Sequence, residues 1–123
     1  MIKVLINSSS RYPVERKRIR QLVKKILGSH LTNKETEVSI LFCGDRKMTW
    51  LNSKWLGRQG TTNVLSFPLK ASNYPDKVFR LGDIVISYPQ VRKQAAENEV
   101  TVDEEVDRMV EHGLLSLLGL HHE

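Results

Sequence analysis

Short apolar runs typical of β-strands alternate along this chain with stretches of helical periodicity. Apolar and β-branched residues alternate or run together in the predicted strands, which are residues 2–6, 37–42, 61–67 and 81–87. Apolar residues return every three or four positions in the predicted helices, which are residues 14–27, 45–56, 89–98 and 102–118. This β-α-β-α-β-β-α-α order excludes all-helical and all-β folds. It predicts an α+β or a mixed α/β fold with a single layer of sheet.

Residues of the types that begin and end helices lie at the predicted boundaries. Thr101 and Glu104 give the T-x-x-E pattern of a capping box before the last helix. Asp45 is predicted to be the N-cap of the second helix. Gly57 and Gly119 follow the second and last helices, where glycine commonly ends a helix. These signals predict the ends of the two helices independently of their apolar periodicity.

The composition indicates one soluble domain, residues 1–123, with an anionic partner. Hydrophobic residues make up 40% and charged residues 27%, which argues against disorder. There are 19 Lys and Arg against 14 Asp and Glu, a net charge of +5, and this favours a nucleic acid as the partner. Cys43 is the single cysteine, so an intrachain disulfide is excluded and a buried thiol in the reducing cytoplasm is predicted. No apolar run reaches the roughly 18 residues that span a membrane.

Three of the four histidines lie in the last thirteen residues, EHGLLSLLGLHHE. On a helix, His112 and Ser116 are one turn apart and share a face. The glycine turn at Gly119 lets His121 or His122 return toward His112, which is how three-ligand metal sites are commonly assembled. The alternative is a core helix whose end carries polar residues without a function. Spacing alone leaves both interpretations open.

The helix face that carries His112 is predicted to be polar. Glu105 and Arg108 lie on roughly the same face, about two turns and one turn earlier. Met109 and Leu117 turn elsewhere, toward a core. We therefore expect the first half of this helix to present Glu105 to the same side as the histidine.

Three segments of the chain resemble motifs of the YbeY endoribonucleases. Residues 112–122, HGLLSLLGLHH, resemble the family signature H-G-x-L-H-L-x-G-Y/F-D-H. Residues 62–68, TNVLSFP, resemble T-D/N-V-L-S-F-P, and residues 81–87, LGDIVIS, resemble L-G-D-I-x-I-S. The segments occur in the family's order with compatible spacing, and the resemblance covers residues 37–122. It implies a single YbeY-type α+β domain over 1–123, with one mixed β-sheet packed against helices and the metal-motif helix near the C-terminus. Related chains continue with a further helix, so this chain is expected to be either a short member or a truncated one.

The resemblance implies a metal-dependent hydrolase in which three histidines hold one zinc ion. Such enzymes are single-strand-specific endoribonucleases that act in ribosomal RNA maturation and ribosome quality control. The first and third ligands fall on His112 and His122, and Ser116 occupies the position of the second. A serine hydroxyl is a poor donor to Zn²⁺, so we expect weaker zinc binding. His121 or a water molecule would complete the set.

The resemblance also implies a catalytic arginine, and here the chain differs from the family. Family members have an arginine in N-x-x-Y/F-R-x-K before the T-D/N-V-L-S-F-P motif. Leu56 occupies that arginine position in this chain, and Arg58 occupies the position of the following lysine. A guanidinium beside the scissile phosphate stabilises charge in the transition state. Arg58 is therefore the predicted catalytic cation, because Leu56 carries no charge.

The predicted first helix carries a basic face opposite its apolar stripe. Arg16, Lys17, Arg20 and Lys24 fall close together on it. Because the chain resembles RNA-processing enzymes, we predict that this face binds RNA phosphates. The alternative is an ordinary solvated helix face.

Two tryptophans and one aspartate have two interpretations each. Trp50 and Trp55 are predicted to pack in the core, and the alternative is that their rings stack on unpaired bases. Tyr74 is a further candidate for stacking on unpaired bases. Asp83 either orients a ligand or forms a hydrogen bond to backbone at a strand end.

The sequence thus predicts a zinc-dependent endoribonuclease of ribosomal RNA processing, with single-stranded or ribosomal RNA, or the ribosome, as its partner. The alternative is a catalytically impaired homologue that binds RNA or the ribosome without cleaving it, because Ser116 and Leu56 each remove an expected chemical group. A metal hydrolase with another substrate leaves the basic helix unexplained.

Overall fold

The structure is a computed structural model that describes residues 1–30, 35–69 and 78–120. Its elements are β1 (Ile2–Asn7), α1 (Arg16–Gly28), β2 (Thr36–Cys43), α2 (Asp45–Leu56), β3 (Val64–Pro68), β4 (Phe79–Ser87), α3 (Tyr88–Glu97) and α4 (Val102–Leu117). The predicted α+β fold and the order of its elements are confirmed. The third strand begins three residues later than predicted and the first helix two residues later. No helix among the described residues is long and apolar enough to cross a membrane.

The four strands form one mixed sheet in the order β1-β2-β4-β3. β1, β2 and β4 run parallel to one another, and β3 pairs with β4 in the antiparallel direction. In register across the sheet, Leu5 pairs with Ser39, Ser39 with Asp83, and Asp83 with Phe67. These four residues form one row on the same face, because partners in register point to the same side.

The two faces of the sheet are covered unequally. On the face that α1, α3 and α4 cover, which we call the α4 face, the strands contribute Val38, Ile40, Ile84 and Ile86 to the larger core. On the opposite face, the α2 face, Leu65 and Val85 pack with Met48 of α2 in a smaller cluster. Because α2 covers only part of its face, Leu5 remains 38% exposed.

The predicted helix ends are confirmed except at Asp45. Thr101 and Glu104 form both hydrogen bonds of the capping box. Gly119 has φ 76°, and the amides of Gly119 and the following residue donate to carbonyls of the last turn of α4, as in a Schellman motif. Gly57 ends α2 in the left-handed conformation. The prediction for Asp45 is wrong, because Gly44 is the N-cap and Asp45 is already inside the helix.

Asp45 instead joins α2 to the ends of three other segments. Its carboxylate accepts hydrogen bonds from Thr61 Oγ1 at 3.1 Å, from Ser87 Oγ at 2.8 Å and from Gln90 Nε2 at 3.1 Å. Partial burial works against the charged form, but these hydrogen bonds and the nearby Lys93 outweigh it and lower the pKa of Asp45. The charged carboxylate therefore ties the start of α2 to the end of β4 and the start of α3.

Glu105 contradicts the predicted polar face of α4. Its side chain is fully buried, since α3 packs against α4 at this turn. Gln94 of α3 donates to its Oε2 at 2.6 Å, and Arg108 forms an ion pair with its Oε1 at 2.9 Å. Asn63 in turn donates to the side-chain oxygen of Gln94 at 2.9 Å. Helical periodicity predicts that Glu105 and His112 lie on the same side of α4. However, α3 covers α4 at the turn of Glu105, so Glu105 is buried while His112 is exposed.

Candidate functional site

Gly113 determines how closely α4 approaches the sheet, and therefore where His112 lies. A Cβ atom at Gly113 would lie 2.7 Å from Cγ2 of Ile84 and 3.0 Å from its Cγ1 and Cδ1. From β3, Ser66 Oγ donates a hydrogen bond to the carbonyl oxygen of Gly113 at 3.3 Å. Because glycine has no side chain, α4 lies directly on β4 at this turn. The adjacent His112 is thus held beside the β3–β4 pair.

The glycine of the LGDIVIS segment has a similar role. Gly82 has φ 148°, in a region that favours glycine. A Cβ there would lie 2.5 Å from the carbonyl oxygen of Phe67 and 2.8 Å from Cδ2 of Leu117. Gly82 therefore permits β3, β4 and the last turn of α4 to meet.

His112 and Ser116 are the candidate metal ligands that the structure describes. The His112 side chain is exposed and Ser116, one turn later, is half-buried. Among residues 1–30, 35–69 and 78–120, no group of three His, Cys, Asp or Glu side chains is close enough to hold a metal ion. By itself, one imidazole with one hydroxyl does not fit Zn²⁺, which takes three protein ligands in catalytic sites. The predicted ligands His121 and His122 lie outside the described residues.

Arg58 lies in the loop that follows α2, and Asn52 supports that loop. The Arg58 amide donates to the carbonyl oxygen of Asn52 at 3.2 Å, and the Asn52 side-chain amide donates to the carbonyl oxygen of Gly60 at 3.1 Å. The Arg58 side chain is exposed and Leu56 is 44% exposed. α2 and α4 pack on opposite faces of the sheet, and no hydrogen bond among the described residues joins Arg58 to His112. The loop that carries Arg58 leads directly into the edge strand β3, against which α4 packs through Ser66 and Gly113.

The four predicted RNA-binding residues all lie on α1, but two of them also have structural contacts. Arg16 donates to Ser8 Oγ at 2.9 Å, and the half-buried Arg20 donates to the carbonyl oxygen of Val4. Lys17 and Lys24 are exposed. The last two are therefore the residues of this face whose charge is most open to an anion.

The predicted core packing of the tryptophans is wrong. Trp50 is 55% exposed and Trp55 is 60% exposed. The ammonium of Lys54 lies 4.6 Å from the ring centroid of Trp50 and 5.7 Å from that of Trp55. Trp55 also makes an edge contact with Phe67, with ring centroids 6.4 Å apart. The α2 face lacks a further helix to cover these rings among the described elements. Tyr74 lies outside the described residues.

Cys43 is buried, as predicted. Burial raises the pKa of its thiol despite the nearby charge of Lys47. A thiol in this environment is a poor nucleophile, and we assign it to the core of the α2 face.

Comparison with known proteins identifies the family. A model of the family "Endoribonuclease YbeY" matches residues 5–123. The chain is 38% identical over 126 residues to the endoribonuclease YbeY of Persephonella marina, covering all of this chain and 80% of that protein. The chain belongs to the YbeY family. It is also 39% identical over 120 residues to the endoribonuclease YbeY of an Anaeromyxobacter species, covering 96% of this chain and 62% of that protein.

A solved structure agrees with the fold of this YbeY family member. The solution structure of a Thermotoga maritima protein is similar with a TM-score of 0.63, at 23% sequence identity. The similarity covers all of this chain and 75% of that one. It supports the YbeY-type α+β architecture and, at this identity, nothing about chemistry.

The sequence did not reveal the position of Asp83. Its half-buried carboxylate lies within β4 and not at a strand end. It lines a cavity of about 520 Å³ on the α2 face together with Trp50 and Trp55. The alternation of residues along the strands did indicate a polar position here. Ser39 and Asp83 are paired in register and are polar, whereas apolar residues lie around them on the α2 face.

Proposed function

We propose that the protein is a zinc-dependent, single-strand-specific endoribonuclease that acts in ribosomal RNA maturation and ribosome quality control. Family membership supports the endoribonuclease activity. The observation that carries the proposal for this chain is the exposed His112, which the Gly113–Ile84 contact holds beside the β3–β4 pair. An imidazole in this position is open to a metal ion and to an extended RNA strand.

In this proposal the zinc ligands are His112 and His122, with His121 or a water molecule in place of the histidine that Ser116 replaces. These residues would hold a zinc ion that would supply Lewis-acid chemistry to a phosphate oxygen. Arg58 is the proposed catalytic cation, and its guanidinium donates hydrogen bonds to the charge that grows on the phosphate.

The proposed RNA-binding surface is the basic face of α1, with Arg16, Lys17, Arg20 and Lys24. Arg16 and Arg20 contact the backbone or side chains near β1 and thereby have fixed positions. Lys17 and Lys24 extend into solvent, where they release counterions when they meet phosphates.

A second candidate function is RNA binding without cleavage, on the ribosome or on free RNA. Ser116 favours it, because the hydroxyl takes the place of an imidazole one turn from His112. Leu56 favours it as well, because an exposed apolar side chain stands where the family has an arginine. The two candidates differ in whether the protein retains zinc.

The first experiment is the zinc-to-protein ratio of the untagged chain, purified without chelator, by elemental analysis. We expect a ratio near one in the wild type and a loss of zinc in His112→Ala. His30→Ala is the matched control, because His30 is exposed just after α1 and its ring bonds, among the described residues, to Ser29 and Ile26. A wild-type ratio near zero after zinc is added back would reject the metalloenzyme and favour the non-cleaving candidate.

The second experiment tests activity on a single-stranded RNA with a fluorescent label. We expect chelator to abolish cleavage and Ser116→His to increase both zinc affinity and cleavage, since imidazole is the better donor. Arg58→Ala should lower the cleavage rate without loss of zinc. Unchanged zinc affinity in Ser116→His would show that residue 116 does not face the metal.

The third experiment tests the basic face by charge reversal at Lys17 and Lys24. If each lysine neutralises one phosphate, the slope of log binding constant against log salt becomes shallower by roughly 1.4 for single strands. Reversal of Arg92 and Lys93, which are exposed on α3, changes the net charge equally and is the control. Equal effects of the two double variants would assign the loss to net charge and not to a surface on α1.

A further inference from the structure

The sheet-face groove is the cavity of about 520 Å³ on the α2 face. Its size is in the range of small-ligand pockets. Its floor is the row Ser39, Asp83 and Phe67, and Trp50 and Trp55 of α2 form its wall. The groove lies on the face of the sheet opposite to α4, so it is separate from the His112 position.

The wall of the groove presents aromatic surface to solvent. Trp50 and Trp55 are more than half exposed, which is unusual for two large rings five residues apart on one short helix. Lys54 lies near both rings. A cation in contact with exposed rings is held weakly, so its ammonium is free to turn toward a phosphate when a base takes its place on a ring.

The floor of the groove contains the carboxylate of Asp83. Within the described ranges, no hydrogen bond or ion pair joins the half-buried Asp83 carboxylate to another side chain. A carboxylate only accepts hydrogen bonds, so its complement is a group with two adjacent N–H donors. Among the four RNA bases, guanine has such a pair on its Watson–Crick edge, at N1 and the exocyclic amine.

The charge around the groove fits a polynucleotide. A second cavity of about 490 Å³ adjoins the groove and shares Asn7, Leu41 and Lys47 with it. Arg11 lines this second cavity, and both Arg11 and Lys47 are exposed. A base in the groove would thus leave its flanking phosphates beside Lys47 and Arg11, while the acidic Asp83 stays at the floor, away from the backbone.

From these features we infer that the sheet-face groove binds one unpaired guanine of a single-stranded RNA, stacked on Trp50 or Trp55 and hydrogen-bonded to Asp83. This inference rests on the proposed function only in taking RNA as the ligand. It gives the protein a base-reading site apart from the proposed metal centre. The site would select which single-stranded segment the protein holds.

Tryptophan fluorescence tests the inference directly, because Trp50 and Trp55 are the only tryptophans of the chain. The probes are 2′-O-methyl RNA pentamers that differ only in a central G, A, C or U. The 2′-O-methyl groups prevent attack by the RNA itself, and added chelator prevents metal-dependent cleavage by water. We expect all four pentamers to quench the tryptophan fluorescence. The G pentamer should bind about tenfold more tightly than the other three, because one bidentate pair of hydrogen bonds provides discrimination of this size. Trp50→Ala and Trp55→Ala, monitored through the remaining tryptophan, should together identify a ring whose loss weakens binding roughly 5-fold to 150-fold.

Asp83→Asn is the decisive variant. A carboxamide presents a C=O acceptor beside an N–H donor, which does not match the two adjacent N–H donors of guanine but matches the donor and acceptor of adenine. The preference for G should therefore disappear, and the A pentamer should gain affinity. Glu97→Gln on α3 removes the same charge outside the groove and should leave the preference intact. A preference for G that persists in Asp83→Asn, or equal affinity for all four pentamers in the wild type, overturns the inference.

The outcome is independent of cleavage. Quenching with a G preference in a chain that cuts no RNA supports the groove and contradicts only the endoribonuclease proposal. Cleavage without any quenching contradicts the proposed guanine site in the groove and agrees with the proposed function. If the fluorescence changes with protein concentration alone, a second copy occupies the groove and the inference is wrong.

Discussion

Substitution of Gly113 by alanine tests the packing that positions His112. The new Cβ would lie 2.7 Å from Cγ2 of Ile84, and Ile84 is fully buried. Ile84 is packed among the buried apolar side chains that β2, β4 and α4 contribute to the larger core. α4 must therefore move away from the sheet, which also lengthens the hydrogen bond from Ser66.

Two opposing effects determine the size of the change. Overpacking of a well-packed core costs about 1–3 kcal/mol. Replacement of glycine by alanine inside a helix raises the free energy of unfolding by up to about 1 kcal/mol. We therefore expect Gly113→Ala to lower the free energy of unfolding by about 1–2 kcal/mol. For a chain of this length the melting temperature should fall by roughly 3–10 °C.

Urea unfolding followed by circular dichroism measures this change, and Gly28→Ala is the matched control. Gly28 is the last residue of α1 and a Cβ there would meet nothing within 4 Å. The control should be neutral or more stable by up to about 1 kcal/mol. In Gly113→Ala the metal affinity of the proposed site should also fall, since α4 carries His112 outward.

A double-mutant cycle with Ile84→Ala separates the clash from other effects. Ile84→Ala removes the three atoms nearest to the new Cβ, so the two substitutions should compensate each other by at least about 0.5 kcal/mol. If Gly113→Ala is as stable as the wild type, or if the two changes are additive, the close approach of α4 to β4 does not constrain the helix as argued.

Three further predictions concern buried or bridging polar groups. Asp45→Asn should cost about 1 kcal/mol near pH 7, where the wild-type carboxylate accepts charged hydrogen bonds. Because folding lowers the pKa of Asp45, this difference should be present above the unfolded value near 4 and vanish as the pH falls through the folded pKa. Gln94→Ala should cost about 2 kcal/mol in thermal unfolding, because it removes a hydrogen bond from the buried Glu105. Asn52→Ala should speed proteolysis after Arg58, because the loop loses its side-chain hydrogen bond.

Each of these predictions has an outcome that contradicts it. An Asp45→Asn difference that stays constant from pH 7 to pH 2 would mean that the carboxylate does not contribute as an anion. A Gln94→Ala variant as stable as wild type would mean that Arg108 alone satisfies Glu105. Equal proteolysis of Asn52→Ala and of the exposed control Ser53→Ala would mean that backbone contacts hold the loop.

Features set by neighbouring residues in the chain were predictable from the sequence. The capping box at Thr101 and the glycine at Gly119 depend on hydrogen bonds within a few residues, and both appear where predicted. The strands were recognisable because their periodicity differs from that of helices. The third strand starts late because the side chains of residues 61 and 63 bond to helices: Thr61 donates to Asp45 of α2, and Asn63 donates to Gln94 of α3.

Features set by partners distant in the chain were not predictable. Glu105 is buried because α3 brings Gln94 to it, and no local pattern indicates which half of α4 another helix covers. Trp50 and Trp55 looked like core residues because they are large and apolar. They are exposed because the short α2 is the single described helix on its face of the sheet.

The residues that relate this chain to its family divide into two physical groups. Gly82 and Gly113 are required by close contacts between backbone and side chains, so their replacement would disturb the fold itself. His112 is exposed and Ser116 is only half-buried, so the core does not depend on which side chain they carry. A chain can therefore keep the YbeY architecture while the side chains at these exposed positions change. In the proposed function, the fold holds His112 in place and the side chains at the proposed ligand positions, Ser116 among them, decide whether zinc is retained.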